Sequence, residues 1–194
     1  VKEDRRFYLY KLKDMMLGAE FDLKYGRWLR SLVFEYIYTK YQSGPYNHDR
    51  TENIGDHIAG MDDYYNHSIY TGWQHWGQVI GNPLYRSPIY NTDKSIDVRN
   101  NRFYALHLGV EGSPTERLDY RVLTTYQKGW GTYNNPFTRA YKNLSFLVEA
   151  KYKFNHDWTV RGGYAMDFGS EKMYGHNAGF QLTVTKSGLL TKKK

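Results

Sequence analysis

Four of the chain's seven histidines, His48, His57, His67 and His75, fall between residues 42 and 101, alongside Asp62, Asp63 and a cluster of aromatic rings. Imidazole and carboxylate together could ligate a metal, and Asp62-Asp63 beside His67 could hold a hard cation. The histidine spacings fit no helical metal motif, and the sequence has no HExxH, P-loop or GxSxG. A barrel-wall hydrolase would instead set a histidine and a serine on facing strands, for which His107 is the one wall histidine to consider. The rings suggest a different chemistry. Tyr46, Tyr64, Tyr65, Tyr70, Trp73, Trp76, Tyr85 and Tyr90 carry flat apolar faces that stack on sugars, and nearby Asn, Asp, Gln and His can bond hydroxyls. The glycan-binding candidates are Tyr64, Tyr65, Trp73, His75, Trp76 and Tyr85, with Trp130 from a later loop. The same rings would equally make a small core for so long a segment. No catalytic residue, metal or cofactor is assigned.

Strands must position these residues. Leu144, Phe146, Val148, Ala150, Tyr152 and Phe154 alternate with Asn143, Ser145, Glu149, Lys151 and Lys153, Leu147 being the exception. After Asn155-His156-Asp157 the period resumes with Trp158, Val160, Tyr164, Met166 and Phe168. A period of two sends successive side chains to opposite faces, so the two runs predict a β-hairpin. Its strands, about ten residues or more, have the length that crosses a bilayer when tilted. Similar runs occupy 17–23, 32–38, 104–110, 120–126 and 178–184, with a weaker one at Arg6–Leu12. Tyr25-Gly26-Arg27-Trp28 and Ser113-Pro114-Thr115-Glu116 are predicted turns, and Gly129–Pro136 a medium loop. From 42 to 101 no period is sustained, which predicts a long loop. Connections after 24, 112 and 154 are short and those after 41, 128 and 168 longer, the asymmetry of a barrel with one periplasmic and one external end. On this reading the C-terminus lies at the periplasmic end.

Composition permits either a soluble β protein or an outer-membrane barrel. Aromatic residues make up 18%, 20 of them Tyr, and mean hydropathy is −0.77. No apolar run approaches the roughly 18–20 residues of a transmembrane helix, but a barrel hides its apolar residues at alternate positions. With no cysteine there is no disulfide framework or thiolate metal site. Residues Val1–Arg6 do not form a signal peptide, so export would be directed by residues outside this chain. The net charge of +7 suits anionic partners such as lipopolysaccharide or acidic glycans, although the closing Lys192-Lys193-Lys194 supplies part of it. The cations are scattered, without the basic stripe of a nucleic-acid binder.

Periodicity does not say which face meets lipid, since a soluble barrel alternates too. Two features favour apolar residues outside. The opposite face carries Gly, Ser, Thr, Asn and Gln with isolated charges, and the apolar face ends in aromatics suited to interfacial girdles. The charges then form a lumen set, Glu35, Glu111, Arg121, Glu149, Lys151 and Arg161. They would brace the wall as ion pairs or select an anionic solute, in which case the chain would be a pore.

Three runs in the long loop carry a resemblance: Tyr41-Gln42-Ser43-Gly44-Pro45, Asp62-Asp63-Tyr64-Tyr65-Asn66-His67, and Gly72-Trp73-Gln74-His75-Trp76-Gly77-Gln78-Val79-Ile80-Gly81-Asn82-Pro83-Leu84. With Asn100-Asn101-Arg102 and Tyr126–Tyr133, they resemble the capsule assembly Wzi family in its Bacteroidetes form, from about Lys13 onward. The resemblance implies an all-β, antiparallel transmembrane β-barrel in the outer membrane, with long extracellular loops. It also implies a lectin-like, non-catalytic role holding capsular polysaccharide, among outer-membrane lipid, lipopolysaccharide and other outer-membrane proteins. Family barrels have eighteen strands and periplasmic helices. The seven or eight strands here, in a single domain 1–194, are similar to the C-terminal portion of such a barrel, so the chain would be a fragment of it or would close as a smaller barrel. The last strand departs from the usual terminal aromatic by running into Lys186-Ser187-Gly188-Leu189-Leu190.

Overall fold

The computed structural model describes residues 14–24, 26–41, 47–49, 57–59, 65–66, 72–154 and 157–188. The fold is all-β. Its strands are β1 (Met15–Asp22), β2 (Ser31–Tyr38), β3 (Asn47–Asp49), β4 (His57–Ala59), β5 (Gln74–His75), β6 (Gln78–Val79), β7 (Phe103–Thr115), β8 (Leu118–Gly131), β9 (Pro136–Lys153), β10 (Trp158–Gly169) and β11 (His176–Lys186). Seven of them form one antiparallel sheet in the order β1-β2-β7-β8-β9-β10-β11. Sheet neighbours are therefore chain neighbours except at β2 and β7, which flank the long connection. β1 and β11 are the outer strands, and among the described residues no pairing joins them. No helix is long and apolar enough to cross a membrane, which says nothing of strands. The run Arg6–Leu12 lies outside the described residues.

The connections differ from expectation in three places. β7 continues through Ser113-Pro114-Thr115, leaving only Glu116-Arg117 as the turn. Thr115 Oγ1 accepts the N–H of Arg117 at 3.3 Å and of Leu118 at 3.1 Å, so a hydroxyl closes the turn in place of the proline. β8 and β9 absorb half of the loop read at 129–136, leaving Thr132–Asn135. Gly131, at φ +82, supplies the left-handed backbone that lets β8 end so abruptly. The long connection contains two small hairpins, β3-β4 and β5-β6, and a 3₁₀ turn at Pro88–Tyr90. Strands of two or three residues are too short to leave a period in the sequence.

Exposure along β9 alternates residue by residue. Leu144, Phe146, Val148, Ala150 and Tyr152 are exposed, Ser145, Leu147, Glu149 and Lys151 are partly covered, and Asn143 is buried. Register carries this pattern across β10 and β11, placing Tyr152, Val160 and Val184 in one row, then Ala150, Gly162 and Leu182, then Val148, Tyr164 and Phe180. Directly opposed residues share a face, so these rows form one apolar surface. In the last row Val148, Tyr164 and Phe180 are 38%, 46% and 72% exposed. The other face carries Lys151, Arg161 and Thr183, then Glu149, Gly163 and Gln181, then Ser145, Asp167 and Asn177. Ser145 Oγ donates to Asp167 Oδ1 at 2.5 Å, pinning β9 to β10 through polar groups. β7 and β8 have the same sense: Leu106 and Leu108 are exposed, while Ala105, Gly109, Thr125 and Gln127 are buried, Gln127 to 2%.

The chain divides into two compact units, one of residues 1–16, 37–105 and 127–142, the other of 17–36, 106–126 and 143–194. The first has a small core of Ile37, Phe103 and Ala105, against which Leu84 and Tyr85 of the long connection pack. Gln127 Nε2 donates to the Leu84 carbonyl at 2.9 Å, tying that segment over β8. Asn100, also buried, accepts the Gly131 N–H on Oδ1 at 3.1 Å. Its amide lies over Gly129, where a Cβ would collide with it. In the second unit β11 ends beside the β9–β10 turn, Lys186 Nζ reaching Asp157 Oδ2 at 2.5 Å.

Replacing Asn100 with Ala leaves the Gly131 N–H without its acceptor in a buried setting, which costs about 1–3 kcal/mol. Urea unfolding in detergent micelles should show that loss. Gly129→Ala should destabilise as well, by forcing the Asn100 amide aside.

Candidate functional site

β5 and β6 form a hairpin whose turn is Trp76-Gly77, with φ of 51° and 73°. Two positive φ values are what a two-residue turn matching strand twist requires, and Asn-Gly or Gly-Gly usually fills it. A tryptophan in the left-handed region costs about 1 kcal/mol or more. That ring is 87% exposed and so recovers little through burial. His75 stands edge-on to it, with centroids 6.2 Å apart, and is exposed, as is Trp73. The hairpin is held from behind: the Ile89 N–H donates to the Gly77 carbonyl at 2.9 Å and the Ile80 N–H to that of Trp73 at 2.9 Å. Exposed Ile80, Ile89 and Tyr90 belong to the same unit.

Of the candidate rings, Trp73, His75 and Trp76 thus come together on one presented hairpin. Tyr65 and Tyr85 instead supply support. Tyr65 is buried, donates its hydroxyl to the Ile80 carbonyl at 3.3 Å and lies against Tyr85, the ring centres 4.5 Å apart and the planes tilted by 39°. Tyr85 in turn meets Phe103 edge-on at 5.0 Å. Trp130 lies between two ammonium groups, Lys40 Nζ 4.6 Å and Lys128 Nζ 5.5 Å from its ring centre, with Tyr104 5.9 Å away. Such cation–aromatic contacts hold the ring in place electrostatically. Tyr64 and the side chains of His48, His57, Asp62, Asp63 and His67 lie outside the described residues.

Sequence reading missed the group that shapes the loop behind the hairpin. Asn91 is buried and its Nδ2 donates to the carbonyls of Ser95 and Asp97 at 3.1 and 2.9 Å, while its Oδ1 accepts from Arg86 Nη1 at 2.9 Å. The run Asn91-Thr92-Asp93-Lys94-Ser95 carried a turn signal, but nothing in it marked Asn91 as the hub. Asp93 caps the same turn. The Ser95 N–H donates to its Oδ1 at 3.2 Å, and that bond, with help from the Ser95 hydroxyl and the Arg99 guanidinium, holds the carboxyl below its ordinary value of 3.8.

The second unit carries a polar cleft of about 350 Å³, into which come five of the six predicted lumen charges, Glu111, Arg121, Glu149, Lys151 and Arg161. Arg30, Asp119 and Lys153 join them, and Glu35 does not line it. Glu149 faces Arg121 at 3.4 Å and Arg161 at 3.8 Å. Asp119 faces Lys153 at 3.4 Å and Lys151 at 3.9 Å, and accepts from Ser113 Oγ at 2.7 Å. Arg30 Nη1 donates to Ser113 Oγ at 3.2 Å. Asp119 and Arg30 each lie just outside the periodic runs at 120–126 and 32–38, so the sequence pattern singles out neither.

His107 Nδ1 is 2.6 Å from Thr125 Oγ1, so the hydroxyl facing it across the strands belongs to a threonine and not to a serine. Among the described residues no cluster of His, Cys, Asp and Glu could hold a metal ion. Compared with family models, curated proteins and solved structures, the chain matches none.

Because Asp93 has a lowered value in the fold, its contribution is present above 3.8 and is lost as pH falls below that through the depressed value. Backbone amide shifts of residues 91–99 should stay constant from about pH 7 to pH 5 and move only in stronger acid. Asp93→Asn should remove the acid step.

Proposed function

We propose that the chain forms part of the wall of an outer-membrane β-barrel, and that its external loops hold surface polysaccharide without catalysis. The observation that carries the glycan reading is Trp76, an exposed ring at a strained backbone position with His75 and Trp73 beside it. Backbone strain persists only where the surroundings impose it, and such positions cluster at binding sites. A rigid hairpin that holds out two indoles and an imidazole offers stacking faces and a hydrogen-bond partner for sugar rings. The resemblance to capsule assembly proteins adds the polymer, capsular polysaccharide.

The membrane reading is supported by the sense of exposure. A side chain facing acyl tails needs no protein cover, and a polar inner face suits a wet or plugged lumen. Trp130 with its two lysines fits an interfacial anchor. Packing of Leu84 and Tyr85 over Phe103 and Ala105 favours the binding role over an open pore, because it fills space on the inward face of β7.

Two experiments test these readings separately. Trp73→Ala with Trp76→Ala should weaken polysaccharide binding about tenfold or more, the loss of two stacking contacts. Trp76→Gly keeps a residue suited to positive φ, so the hairpin should survive while binding falls. Unchanged retention of polysaccharide on cells would sink the glycan reading. For the membrane reading, Val148→Arg should cost about 2–4 kcal/mol of stability in bilayers, and Gln181→Arg, on the other face, far less. Equal effects, or a chain that stays monodisperse without detergent, would overturn it.

A further inference from the structure

The charged cleft of the second unit holds five cations, Arg30, Arg121, Lys151, Lys153 and Arg161, against three carboxylates. Wall bracing alone accounts poorly for that composition. Partly exposed pairs at 3.4–3.9 Å are each worth about 0–1 kcal/mol. Arg121 and Arg161 share the single carboxylate of Glu149, which leaves both guanidiniums with donors to spare. Arg30 bonds only the neutral Ser113 hydroxyl through its side chain and faces no carboxylate within ion-pair distance among the described residues.

Register adds an independent observation. Lys151 and Arg161 are direct cross-strand partners on β9 and β10. Like charges directly opposite one another destabilise a sheet, and a sheet selected only for stability would place a carboxylate or a neutral group at one of them. An anion seated between them removes the repulsion. The cleft volume of about 350 Å³ lies at the lower end of small-ligand sites, and its walls are polar.

We propose that this cleft binds a small solute bearing a carboxylate or phosphate group, with Lys151, Arg161 and Arg30 as its cationic contacts and Arg121 held in reserve by Glu149. The site is separate from the Trp76 hairpin, which belongs to the other unit, so either can fail without the other.

The test is calorimetric titration of the full chain in neutral detergent with inorganic phosphate and, separately, with glucuronate. Saturable binding that weakens with added salt is expected for at least one, and the tighter of the two identifies the source as free phosphate or an acidic sugar. Lys151→Gln and Arg161→Gln should each weaken it about tenfold, the loss of one charge-assisted contact. Without ligand, each should leave the fold about as stable as before, since removing one of the opposed charges offsets the loss of one weak ion pair. Lys172→Gln, in the β10–β11 connection, should change nothing. Should a Lys151 or Arg161 variant fail to fold, Arg30→Gln reports on the same cleft without touching an ion pair. Absence of saturable binding to both anions, or variants that bind as tightly as the parent, would overturn the proposal.

Discussion

An apolar side chain left in water forgoes about 1.5–3 kcal/mol of burial. Along β9, β10 and β11 this chain sets Tyr152, Val160 and Val184, then Val148, Tyr164 and Phe180, on an uncovered face. The opposite face carries Asn143, which is buried, and Ser145, Glu149 and Asp167, which are partly covered. Along β9 the chain must keep its apolar side chains on one face and its polar ones on the other. The hydrogen-bonded ladder makes this demand collective. Shifting any strand by one residue would exchange its two faces, so the alternation also fixes register.

Within the first unit the same polarity creates a second requirement. Phe103 and Ile37 lie on the face that is otherwise polar or small, and the chain covers them with Leu84 and Tyr85. The long connection is thereby anchored through Tyr65, Tyr85 and the Gln127–Leu84 hydrogen bond. Asn91 orders the residues that follow. Its hairpin can then carry a tryptophan in a left-handed conformation, since the Gly77–Ile89 and Trp73–Ile80 bonds fix the backbone on both sides. Buried aromatics and a presented aromatic tip are two parts of one construction. The ring that is exposed depends on the rings that are not.

The charged cleft belongs to a different balance. Two of its carboxylates, Glu149 and Asp119, each answer two cations at distances too long for tight bidentate pairing. An arrangement of that kind stays soft to a third party, because an incoming anion competes with contacts that are individually weak.

The alternation of Leu144 through Tyr152, and its resumption at Val160, fixed the strands, their antiparallel hairpin and the set of residues sharing each face, because a pleated strand admits no other assignment of a period of two. The charges that β8, β9 and β10 bring into the cleft were legible for the same reason. Other features had no local signature. Two-residue strands leave no period, so the hairpin that gathers Trp73, His75 and Trp76 was invisible, and so was the division of the loop aromatics into Tyr65 and Tyr85 as support and Trp76 as tip. Periodicity could not say which face is covered, since it is blind to what lies against a sheet. Only packing decided that, by burying Gln127 and leaving Phe180 uncovered.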